Sequence, residues 1–177
     1  MDTSPAGRLG GAGLLLVLLL AGCASTPGNI RPATEAKPTV RVGATDSVGV
    51  RVLVAPGVAL EDHEKLRLES RVREKIDAIK ARNDRNAPPL SFRVDVEVTK
   101  YEKGNAFARA MLAGLGAMQI EATIRVFTMP EERKVAEFTA DKTFAWGGIY
   151  GGSTSMEDVE HGFAEGIAEA TVNPTGK

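Results

Sequence analysis

The sequence predicts an α+β fold: a small antiparallel or mixed sheet of about four strands with two main helices on one face, in the order β-α-β-β-β-α. Three observations carry this prediction. Leu90, Phe92, Val94, Val96 and Val98 alternate with Ser91, Arg93, Asp95, Glu97 and Thr99, the two-residue period of a strand with one apolar and one wet face. Leu68, Val72, Ile76 and Ile79 recur at helical spacing, as do Met156, Val159, Phe163 and Ile167. Turn residues separate these blocks.

Taken in order, Val48, Val50, Val52 and Val54 alternate with Gly49, Arg51 and Leu53, and Ala55-Pro56-Gly57 ends that strand. The first helix spans Glu61 to about Asn83, with acids at its start and Lys80 and Arg82 at its end, as the helix dipole favours. Residues 83–89 form a loop, and the Leu90 strand follows. Ile120, Ala122, Ile124 and Val126 make the third strand. Pro130-Glu131-Glu132 turns the chain into a fourth, marked by Ala136, Phe138, Ala140 and Phe144 and interrupted at Lys142. The last helix opens on a capping box, Thr154 with Glu157.

The N-terminus has another character. The terminal amine and Arg8, against Asp2, precede a leucine-rich run that ends in Leu20-Ala21-Gly22-Cys23, and Cys23 is the chain's single cysteine. Leu9 to Gly22 is too short and glycine-rich to cross a bilayer, which needs about 20 apolar residues. A charged start, an apolar middle and small residues before a cut are the parts of a secretory signal. The pattern resembles a lipobox. That resemblance implies removal of residues 1–22 and acylation of Cys23 by diacylglycerol and palmitate-type chains; two or three chains make a stable anchor where one does not. Ala24 rather than aspartate after the cysteine resembles an outer-membrane destination, on the periplasmic face of a Gram-negative cell. Residues 23–39 read as the lipidated N-terminus and a flexible tether, rich in proline and small polar residues; about 16 such residues span roughly 20 Å. Residues 40–172 form one domain, and 173–177 a disordered tail.

The formal net charge is −1, and it stays so when Asp2 and Arg8 leave with the leader. Basic residues alternate with acids, as in Glu64-Lys65-Leu66-Arg67-Leu68-Glu69, instead of clustering to neutralise phosphates, so nucleic acid is not an expected partner. With Cys23 acylated no thiol is left for a disulfide or a cysteine metal site.

Between the second and third strands, Tyr101-Glu102-Lys103-Gly104-Asn105, then Arg109, then Gly114-Leu115-Gly116 form an insert. Across residues 48–172 this arrangement resembles an uncharacterised, domain-of-unknown-function family of small bacterial envelope lipoproteins. The resemblance implies an envelope protein without a known enzymatic activity, and no catalytic residue is carried over. In physical terms Gly104 permits a positive φ, Asn105 caps a short helix, and Gly114 and Gly116 close the turn. The insert's apolar residues surround one charge, Arg109. Either it packs under the domain, or one face stays open for a partner or lipid; in the second case Phe107, Arg109, Met111 and Leu112 form the candidate docking surface.

Other motifs fall short of chemistry. Gly147-Gly148-Ile149-Tyr150-Gly151-Gly152-Ser153-Thr154 has the outer spacing of a phosphate loop, but Ser153 stands in place of its lysine, and Glu157 and Asp158 follow where they would repel a nucleotide. His63 and His161 are far apart and read as polar helix surface, without metal-ligand spacing. No catalytic residue, metal or cofactor is expected. The leading function is an outer-membrane-anchored, periplasm-facing, non-catalytic interaction or accessory module of an envelope assembly or transport complex, held by acyl chains on Cys23 and docked on an envelope protein. A lipid- or small-ligand-binding domain is the alternative, and an enzyme the third class.

Overall fold

The computed structural model describes residues 26–32, 41–111, 115–145 and 153–173, with the side chain of Arg109 outside that set. Its elements in chain order are β1 (Asn29–Pro32), β2 (Ser47–Val54), α1 (Asp62–Lys80), β3 (Ser91–Glu102), α2 (Ala106–Met111), β4 (Met118–Met129), β5 (Arg133–Phe144) and α3 (Met156–Val172). The strands form one mixed sheet in the order β1-β5-β4-β3-β2. β2 and β3 are parallel because α1 carries the chain back between them; the other pairs are antiparallel. The α+β expectation holds, with five strands in place of about four.

One face of the sheet is apolar and takes both long helices. Val50 and Val52, Val94, Val96 and Val98, and Ile120 and Ile124 pack against Leu68, Val72 and Ile76 of α1 and Val159, Phe163 and Ile167 of α3 in a single core. The other face is a lattice of cross-strand ion pairs. Arg51 Nε and Nη2 meet both carboxylate oxygens of Asp95 at 2.9 and 2.7 Å, Arg125 reaches Glu97 at 2.8 Å, and Arg93 lies 4.7 Å above the Phe127 ring. Pairs of this kind fix register more than they stabilise.

Three local details depart from the sequence reading. β5 is not interrupted at Lys142: that residue faces the core, nearly buried, and its Nζ donates to the carbonyl and hydroxyl oxygens of Thr26, both at 2.6 Å. A buried ammonium has to be paired, and the N-terminal segment supplies two acceptors for it. The cap of α3 is Ser155 with Asp158, one residue later than Thr154 with Glu157; Ser155 N–H donates to Asp158 Oδ2 at 2.9 Å, while Thr154 is buried. Both pairs fit the same sequence pattern, and burial of Thr154 decides between them. β3 carries a bulge between Val98 and Lys100. Strict alternation from Phe92 would turn Lys100 inward; the extra residue turns Tyr101 inward instead.

The fourth difference concerns the tether. Residues 26–32, assigned to it by composition, are docked on the domain. Asn29–Pro32 pairs with the β5 edge, Asn29 opposite Asp141 and Pro32 opposite Phe138. Gly28 lies in a notch of α3: its N–H donates to Gly162 O at 2.8 Å, and a Cβ on Gly166 would come within 2.7 Å of Gly28 O. Gly166 leaves room for this backbone and the Gly162 carbonyl accepts from it, so low hydrophobicity does not keep the segment off the domain. Pro32 is tolerated because it ends an edge strand.

Gly166→Ala is therefore expected to push the N-terminal segment off α3. Hydrogen exchange should show protection lost at the Gly28 amide and across β1 while the sheet centre keeps its own. Unchanged protection, with the roughly 1 kcal/mol gain alanine gives inside a helix, would contradict the notch.

Candidate functional site

A carboxylate with no exposure lies where the apolar stripe of α3 should continue. Glu160 follows Val159 and sits one turn after Met156, and its side chain is 0% exposed. An isolated buried carboxylate is very costly, so its partners define the site. Arg67 grips it with both ends of the guanidinium, Nε to Oε2 and Nη2 to Oε1, each at 2.8 Å. Arg71, one turn along α1, donates to Oε2 at 3.0 Å. Tyr101, turned inward by the bulge, donates its hydroxyl proton to Oε1 at 2.6 Å. Four donors meet the four lone-pair positions of one carboxylate.

The electrostatics follow from this packing. Burial first, and then the bond to Glu160, hold the Tyr101 hydroxyl protonated well above the usual tyrosine range. The hydrogen bond to Glu160 raises Arg67. Next to them Glu64 is also buried. Desolvation acts to raise its pKa, but the hydrogen bonds it accepts from Lys103 Nζ at 2.9 Å and from the Glu61 N–H outweigh it, and the carboxyl is held below its ordinary value. A tyrosine beside a carboxylate has the look of an acid-base pair. With every acceptor position of Glu160 already filled, the group has no site left to take a substrate proton, and the arrangement joins α1, α3 and β3 instead. A cleft of about 440 Å³ opens beside it, lined by Val58, Ala59, Leu60, Glu61, Tyr101 and Lys103.

The second feature begins one residue after Lys103. Gly104 has φ +64° and Gly116 φ +71°, and a Cβ on Gly104 would stand 2.2 Å from Gly116 O. Only glycine fits a backbone crossing this close. Asn105 N–H donates to Gly116 O at 3.1 Å, and Asn105 Oδ1 accepts from the Ala108 N–H at 3.0 Å, capping α2. The closed neck carries a lobe whose apolar side chains face out: Phe107 is 73% exposed, Met111 67% and Leu115 56%. Of the candidate docking residues, Phe107 and Met111 thus stand together on the surface, whereas the Arg109 side chain and Leu112, like Gly114 of the turn, lie outside the described residues.

Leu20, Ala21, Gly22 and Cys23 also lie outside them, as do residues 146–152 of the glycine run. His63 and His161 are both exposed, on α1 and α3; His161 Nε2 is 3.0 Å from Lys75 Nζ. Among the described residues no group of three His, Cys, Asp or Glu side chains is placed to hold a metal ion, and no helix is long and apolar enough to cross a membrane. Sequence reasoning passed over the Glu160 network, although a glutamate in an apolar stripe, with arginines four apart on the partner helix, was a readable signal.

Residues 61–148 match the model of a family described as a domain of unknown function, DUF4410, in agreement with the uncharacterised domain family the sequence resembles. No curated protein matches the chain. Among solved structures, the PelC dodecamer from Paraburkholderia phytofirmans is similar over 82% of this chain and 98% of that one, at 12% identity and TM-score 0.53. A candidate lipoprotein from Caulobacter crescentus CB15 is similar over 68% and 82%, at 17% identity and TM-score 0.37. Protein XCC0632 from Xanthomonas campestris, of the DUF330 family model, is similar over 85% and 88%, at 16% identity and TM-score 0.43. At these identities the PelC likeness is one of fold.

The two features predict opposite mutational behaviour. Glu160→Ala leaves two guanidinium groups and a buried hydroxyl facing each other and should lower unfolding stability by about 3–5 kcal/mol. Phe107→Ser and Met111→Ser, at exposed positions, should each stay within about 0.5 kcal/mol of the parent. Denaturant midpoints on the three variants check this. A loss of several kcal/mol in the serine variants would mean that the lobe is core.

Proposed function

With residues 61–148 matched to an uncharacterised domain family, we propose that this chain is a lipid-anchored envelope protein acting as a non-catalytic accessory module of an envelope assembly or transport complex. It is held in the outer membrane by acyl chains on Cys23 and faces the periplasm, consistent with Ala24 after the cysteine. The observation that carries the reading is how few residues separate Cys23 from the segment docked on the domain. The domain takes hold of the chain at Thr26, three residues after Cys23, through Lys142 and the Gly162–Gly166 notch. A terminus built into the sheet makes sense where that terminus carries load.

The non-catalytic part is supported by the saturation of Glu160, since this deeply buried polar cluster holds elements together. The ion-paired outer face of the sheet, from Arg51 to Arg125 and Glu137, is the broad surface offered to a protein partner.

Cys23→Ala should abolish labelling by radioactive palmitate and move the protein out of the outer-membrane fraction of a density gradient, because no other residue supplies the thioether. Equal labelling of the parent and the variant would sink the lipid anchor. Labelled protein banding with the inner membrane would sink the outer-membrane assignment alone.

A further inference from the structure

β1 runs antiparallel to β5, so the chain upstream of Asn29 leaves the sheet past Asp141, at the end where β5 finishes with Phe144. Phe144 pairs with Met118, the first residue of β4, and Gln119 pairs with Glu102, the last of β3. The neck formed by Gly104 and Gly116 stands on those two strands. The N-terminal segment and the apolar lobe therefore emerge from the same end of one sheet, two to three strand spacings apart, about 10–15 Å.

Covalent reach fixes the rest. Thr26 is bound to Lys142, and three residues extend at most about 11 Å, so Cys23 lies within that distance of Thr26 whichever way the chain runs. Acyl chains on Cys23 bring this end of the sheet to the bilayer surface, and with it Phe107, Met111 and Leu115. From these placements, and resting on the lipid anchor proposed above, we infer that the Phe107–Met111–Leu115 lobe inserts into the bilayer beside the acyl chains, so that the domain stands on the membrane by that end in one orientation. Acids and bases mix around the same end, Glu61, Asp62 and Glu102 against Lys100, Lys103 and the lobe's own Arg109, with no cluster of basic residues. The contact is thus apolar insertion and not attraction to anionic headgroups, which distinguishes it from basic membrane-binding patches.

The test uses the full acylated chain in vesicles of phosphatidylethanolamine and phosphatidylcholine containing a nitroxide-labelled lipid. The acylated Cys23 is closed to thiol reagents, so Phe107→Cys and Met111→Cys take a fluorophore singly, and Asn86→Cys, exposed in the loop before β3, serves as the distal control. Flotation reports the anchor and quenching reports the lobe. Quenching at positions 107 and 111 several-fold above that at 86, unchanged at high salt, is the expected result. Equal quenching at all three positions in protein that floats with the vesicles would overturn the insertion while leaving the anchor intact. Control-level quenching together with crosslinking of Phe107→Cys to an envelope protein in cells would give the lobe to a protein partner. Protein that fails to float would remove the anchor and this inference with it.

Discussion

The need to satisfy one buried carboxylate organises this domain. Glu160 is tolerated in the interior only because Arg67, Arg71 and Tyr101 complete its hydrogen bonding, and each arrives from a different structural decision. The arginines are four apart on α1, so both fall on the α3 side of that helix. Tyr101 points inward only because β3 carries a bulge after Val98. Two helices and the end of β3 are thereby held to one another at one end of the sheet, next to the Lys103–Glu64 pair. The glycine neck of the lobe starts from that fixed point, so α2 projects from a rigid support.

The same end receives the N-terminal segment by a different device. Lys142 stands on the apolar face of β5, and its ammonium donates to both oxygens of Thr26. Gly166 then allows Gly28 to lie against the helix backbone, where its N–H donates to the Gly162 carbonyl. A buried lysine and a helix glycine thus help to convert proline-rich chain into a sheet edge. The fold places the N-terminal segment and an exposed apolar lobe on one side, and an ion-paired sheet face that runs away from them.

Much of this was legible in the residues and some was not, for physical reasons. Alternation from Phe92 to Val98 and the stripe Leu68-Val72-Ile76 specify their elements because period alone decides which face is buried. The lobe was marked by Gly104, Asn105 and Gly116, residues suited to tight turns, while its exposure depends on how much core the helices already fill. β1 was hidden because a segment of low hydrophobicity gives no periodic signal; its binding is encoded elsewhere, at Lys142, Gly162 and Gly166. The bulge has no signature in Val98-Thr99-Lys100-Tyr101, and without it Tyr101 reads as surface. Lys142 looked like an interruption of an apolar pattern, and Glu160 fell outside the stripe Met156-Val159-Phe163-Ile167; each is the point where a distant segment is tied in.

The decisive quantity is the height of the domain above the membrane. Neutron reflectometry on a supported bilayer carrying the acylated full chain measures it. A domain docked at Thr26 with its lobe in the lipid predicts protein density contiguous with the headgroups and no solvent layer between. A hydrated gap approaching the roughly 20 Å span of a free tether would contradict it.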